Sequence, residues 1–183
     1  MRGREDLLAR TLQSAYEFVD CDFAAVAVSR DPGGLGGSGN IRQGWEIART
    51  LNADYVFHLE DDWLFREPVP VAEMIAVLET HPSLANIILR RQPWGTEGPG
   101  GYIGDNPAAF TDRGGWLQHE QGFWLNPCVY PASICERGWP EHGTEADFTA
   151  TLPPGTTFGV WGSHGDAPRV WHIGDQRSPQ WCW

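Results

Sequence analysis

Asp54-Tyr55-Val56-Phe57-His58-Leu59-Glu60-Asp61-Asp62-Trp63 is the stretch on which the reading of this chain turns. It begins as a short apolar strand and ends in three consecutive carboxylates. In open α/β sheets, ligands collect beyond the carboxyl ends of the strands. Three adjacent acids repel one another there, and a divalent cation with oxygen ligands is the natural counterweight. Such an ion holds phosphates more readily than it sits in an all-protein cage. The plain alternative is a solvated acidic turn, and the position directly after a buried strand favours a site over it.

Working outward, the flanking segments read as an α/β chain. Leu8, Leu12, Ala15, Tyr16 and Val19 recur at helical spacing behind Glu5 and Asp6, which suit a helix N-terminus. Residues 23–29 (FAAVAVS) form a short apolar run that predicts a buried strand. A glycine-rich connection follows over 33–39. Asn40 is then placed to cap a helix lined by Ile41, Trp45, Ala48 and Leu51. Pro68 and Pro70 introduce a helix over 71–78, and residues 85–89 (ANIIL) predict a third strand. Alternating helices and strands predict an open, mostly parallel sheet flanked by helices. Residues 92–115 are rich in Gly and Pro and predict a long loop, with Trp94, Tyr102 and Trp116 as lid residues over a ligand. Shorter pieces follow at 122–125, 145–152, 158–161 and 169–173. No linker divides the chain, so 1–183 reads as one domain, with residues 1–91 as the nucleotide and metal half and 92–183 as loop, acceptor side and C-terminal metal-binding segment.

Composition narrows the function classes. The 183 residues are 41% hydrophobic, enough for a real core. Net charge is −11, and all 13 basic residues are arginine. An acidic, lysine-free chain lacks the broad basic footprint that grips nucleic-acid phosphates, so a nucleic-acid partner is disfavoured. Arg90-Arg91 is the local patch left to serve one. No run of apolar residues is long enough to span a membrane. Cys21, Cys128, Cys135 and Cys182 form no CxxC pair, which excludes a zinc knuckle, and with no secretory leader to read the expectation is reduced thiols in the cytoplasm. The glycine run is not a phosphate-binding P-loop, because no GK[ST] follows it.

The segment LNADYVFHLEDDW resembles the DxD region of GT-A-fold glycosyltransferases, most like glycosyltransferase family 2. The resemblance implies a Rossmann-like GT-A sheet, a nucleotide-sugar donor, a bound Mn²⁺ or Mg²⁺ and transfer to a hydroxyl acceptor, a carbohydrate among others. By position, Asp62 is implied as a metal ligand. Glu60 and Asp61 are implied as contacts to metal, ribose or sugar, and Asp31 as a neighbour of the nucleotide. HGTEADFTATL resembles the acidic segment that carries the general base of inverting members. Glu145 and Asp147 are its candidates; side chains two apart on a helix do not face the same way, so one of them is expected to meet the substrate, with Glu145 taken first and Asp147 as the reserve. VWHIGDQRS resembles the late element whose histidine completes the metal sphere, which implies His172 as a second ligand and Arg177 as a partner of the diphosphate. GFWLNP resembles the acceptor-side strand and implies Trp124 and Asn126 as acceptor contacts. Family members open with a strand before the first helix, whereas here MRGREDLLARTL enters the helix almost at once. An uncovered sheet edge is therefore expected, to be closed by the C-terminal segment SPQWCW or a second subunit.

Two other readings use the same residues. A metal-dependent hydrolase of a phosphoester or nucleotide-sugar would employ the acidic cluster and His172 to activate water. A non-catalytic carbohydrate-binding remnant would rely on the ten tryptophans and need neither metal nor nucleotide.

Overall fold

A computed structural model describes residues 4–29 and 36–174. Helix α1 (Arg4–Phe18) and helix α2 (Gly36–Thr50) precede strand β1 (Tyr55–His58). Strand β2 (Trp63–Phe65), helix α3 (Val71–Thr80) and strand β3 (Leu84–Leu89) follow. Then come helix α4 (Gly101–Asp105), strands β4 (Thr111–Asp112), β5 (Trp116–His119) and β6 (Cys128–Pro131), helix α5 (Glu145–Thr149), and strands β7 (Thr157–Trp161) and β8 (Val170–His172). No described helix is long and apolar enough to cross a membrane.

Six strands form one mixed sheet in the order β1-β6-β3-β7-β5-β4. Only β3 and β7 pair in parallel; the other four pairings are antiparallel. This corrects the mostly parallel sheet expected from the alternating elements. The reason lies in β5 and β6, which follow the 92–115 segment and were not anticipated as strands. β6 inserts between β1 and β3 and bonds both in the antiparallel sense. β1 and β3 therefore still run in the same direction, as two strands linked through a helix should. A separate two-stranded ribbon pairs β2 with β8, with Trp63 opposite His172.

Period-two alternation distributes the core to both faces of the sheet. Ile88, Cys128, Tyr130 and Val160 pack on one face with Trp45, Phe123 and Phe148. Ile87, Leu89 and Val129 pack on the other with Met74, Leu78 and Phe65. β3 is buried along its whole length, as a continuous apolar run in a covered strand requires. Ile87 and Ile88 are fully buried, and each such side chain stabilises the fold by roughly 1.5–3 kcal/mol. Trp45 is fixed inside its cluster by an indole N–H donated to Tyr130 Oη at 3.0 Å. Cys21, Cys128 and Cys135 are free thiols, the last two buried.

Other departures follow from missing neighbours. Residues 23–29 form no strand, and residues 22–28 are exposed. Their sequence suits a strand, but among the described residues no partner strand is present to bond them. β1 is correspondingly an edge of the sheet. Asn40 lies inside α2 rather than at its start, because the glycines from Gly36 onward already belong to the helix. Residues 122–127 are irregular and not a strand. The 92–115 segment is not a bare loop. Arg90, 6% exposed, donates to the carbonyls of Gly100, Ser163 and His164 at 2.7–3.1 Å and so ties α4 to the end of the sheet. Arg90 and the similarly buried Arg91 are internal braces and offer no patch to a nucleic acid.

Candidate functional site

The acidic segment sits where β1 ends and β2 begins, and β8 returns from the far end of the chain to pair with β2. This pairing brings His172 Nε2 to 3.4 Å from Asp62 Oδ1. The imidazole also packs edge-on against Trp63, with ring centroids 4.9 Å apart. Its backbone is clamped from a third element. The His172 N–H donates to Gln92 Oε1 at 2.9 Å, and Gln92 Nε2 donates to the His172 carbonyl at 3.3 Å. The next turn closes onto the acid: Ile173 N–H donates to the Asp62 carbonyl at 2.7 Å. Gly174 then passes so near that a β-carbon there would lie 2.4 Å from Asp62 Oδ2. Asp62 is itself buried, at 7% exposure.

Glu60 lies beside this pair. Its carboxylate accepts the Trp63 indole N–H at 3.3 Å. Glu60 is exposed to solvent, although protein atoms crowd its carboxylate. Loss of hydration, reinforced by the charges of Asp62 and Glu145, pushes its pKa up to about 7. Glu145, the first residue of α5, lies within electrostatic reach of Glu60. Its Oε1 accepts the Leu125 backbone N–H. Burial raises its pKa, and the Leu125 bond opposes that rise. Both carboxylates also push up the thiol of Cys128, after burial as the larger cause, so the two acids converge over the end of β6.

Asp61 points elsewhere and is held by the Arg4 guanidinium of α1. The same guanidinium stands 4.0 Å from Asp62. Asp147 is not brought into the cluster. It is exposed, and it accepts from the backbone N–H and hydroxyl of Thr144 while Thr144 accepts from its own N–H. This reciprocal cap starts α5 and holds the Asp147 carboxyl below its ordinary range. Trp124 is half-buried and stacked on His119 at 4.5 Å, with Tyr102 edge-on to it. Asn126 is half-buried next to Leu125. Asp31 and Arg177 lie outside the described residues.

The lid residues separate. Trp116 is buried in β5, Tyr102 has a buried hydroxyl, and only Trp94 is exposed beside the site, 6.5 Å from the His172 ring. A groove of about 270 Å³ between α1 and β2, lined by Arg10, Ser14, Glu17 and Phe65 among others, includes none of the acidic set. Sequence reading missed Gln92, Trp63 and Gly174. Trp63 was findable, being adjacent to the acids; Gln92 and Gly174 act through tertiary contacts that leave no local signal.

Among the described residues, no three His, Cys, Asp or Glu side chains gather closely enough to cage a metal by themselves. Asp62 and His172 supply one oxygen and one nitrogen donor side by side. That set suits a first-row divalent ion that fills its remaining positions with ligand oxygens. No protein-family model matches the chain, and no curated protein matches it.

Proposed function

We propose that this protein is a metal-dependent glycosyltransferase of the GT-A type, moving a sugar from a nucleotide-sugar to a hydroxyl acceptor. The observation that carries the reading is the return of His172 onto Asp62, at 3.4 Å, from segments remote in sequence. The common direction of β1, β3 and β7 is compatible with a sheet whose strand ends open towards one ligand site.

Asp62 and His172 would hold a Mn²⁺ or Mg²⁺ ion, which when bound neutralises charge on the donor diphosphate. Gln92 and Gly174 keep the two ligands in register. Glu145 would take the proton from the acceptor hydroxyl. Burial raises the affinity of its carboxylate for that proton, as a general base requires. Asp147 serves the helix that presents Glu145 instead of the chemistry. Glu60, whose proton affinity is raised further, would hydrogen-bond a sugar hydroxyl.

The test is release of nucleoside diphosphate from a panel of nucleotide-sugars with Mn²⁺, with and without simple glycoside acceptors. Acceptor-stimulated release, lost in Glu145→Gln, supports transfer. Acceptor-independent phosphoester cleavage by a protein with no affinity for nucleoside diphosphates would favour the hydrolase.

A further inference from the structure

Trp94 is an exposed aromatic side chain engaged by neighbours through both its ring and its backbone. It is 46% exposed, which alone is ordinary for a surface residue. One face of its ring, however, lies under the Arg91 guanidinium, 3.8 Å from the ring centroid. Arg91 is only 8% exposed and is locked in turn. It donates from both terminal nitrogens to Glu97, at 2.9 and 2.6 Å. Glu97 closes the circuit by accepting the Trp94 backbone N–H at 2.9 Å. Hydrogen bonding to Arg91 holds the Glu97 carboxyl below its ordinary pKa, so the fork stays charged near neutrality. Gln92, two residues before Trp94, is the same residue that clamps His172. The indole is therefore held between Arg91 and the neighbourhood of the His172 ring, and is otherwise open to solvent.

We propose that Trp94 is a preorganised stacking platform for a sugar ring beside the Asp62–His172 pair. An immobilised aromatic ring binds without the cost of ordering a mobile side chain. The ligand class follows from its surroundings. The His172 ring, 6.5 Å from the Trp94 ring, leads to the Asp62 carboxylate, with Glu60 next to it, and ionised carboxylates match the hydroxyl donors that ring a sugar. The apolar C–H face of the sugar matches the indole. The assignment of a sugar rests on the transferase reading for its place in the reaction, but not for binding itself.

Ligand-observed NMR titration with uncharged methyl glycosides of glucose, galactose, mannose and N-acetylglucosamine, without metal or nucleotide, tests this directly. Wild-type protein is expected to bind at least one of them. Trp94→Ala should weaken that binding roughly 5- to 10-fold, the size of a lost ring contact. Trp94→Phe should restore most of it, and Arg91→Lys, which removes the fork, should fall between. In ¹⁵N-labelled wild-type protein, the indole resonance assigned to Trp94 by its absence in Trp94→Phe should shift with the glycoside. That readout does not depend on whether Trp94→Ala folds. No glycoside binding by wild-type protein, or an unmoved Trp94 indole, overturns the platform. Glycoside binding through Trp94 with no metal-dependent nucleotide binding would overturn the transferase reading and leave the platform standing.

Discussion

His172 Nε2 stands 3.4 Å from Asp62 Oδ1, held there by a two-stranded ribbon in which Trp63 is the residue opposite His172. The relationship joins the middle of the chain to its end. If the pair binds a cation, both members matter. His172→Ala should weaken Mn²⁺ binding about 10- to 100-fold, the usual cost of losing support at a metal site. Calorimetric Mn²⁺ titration in the presence of UDP measures it, and an unchanged affinity removes His172 from the ligand set.

Gly174 offers a sharper test, because the residue contributes no donor. A methyl group there would fall 2.4 Å from Asp62 Oδ2, so Gly174→Ala must displace the carboxylate. The variant should stay folded and lose Mn²⁺ affinity. Gly165→Ala, where a β-carbon meets nothing within 4 Å, should behave as wild type. Equal Mn²⁺ binding by the two variants would show that the position of Asp62 is immaterial.

Glu145 and Asp147 should separate by kind of effect. Glu145→Gln should keep nucleotide binding and lose transfer, since the proposed general base is its carboxylate. Asp147→Asn should lower the thermal midpoint slightly by weakening the cap on α5, with transfer retained. The opposite pattern, with transfer lost only in Asp147→Asn, would reassign the base.

The acid side of the stability profile follows from His58 and His119. Burial lowers both pKa values to about 4. Below about pH 6.5 the unfolded chain takes up protons that the folded chain refuses, so stability falls as pH drops from about 6.5 to 4. Glu60, with its pKa raised to about 7, works in the opposite sense, gaining protons in the folded state between about 4.5 and 7 and partly offsetting the loss. His119→Leu should flatten the profile by about one proton in chemical unfolding at stepped pH. An unaltered slope would mean that His119 is not held neutral.

The sequence revealed what is local and hid what is tertiary. The strand at 55–58, the helix at 71–80 and the buried run at 84–89 were legible because each carries its own period or apolar run. The acids at Glu60–Asp62 stood out for the same reason. The pairing of β8 with β2, the insertion of β6 between β1 and β3, and the Gln92 clamp depend on residues distant along the chain. Residues 92–115 misled, because glycine and proline mark irregular backbone whether it is free or, as here, pinned by buried Arg90 and Arg91. The apolar run at 23–29 misled in the other direction: strand propensity needs a bonding neighbour.

The proposed transfer depends on a cation shared between Asp62, His172 and a diphosphate. Calorimetry with UDP and GDP, with and without Mn²⁺, on wild-type protein and Asp62→Asn tests it most directly. One nucleotide should bind only when Mn²⁺ is present, and Asp62→Asn should abolish that binding. Nucleotide affinity indifferent to Mn²⁺, or equal in the variant, would contradict it.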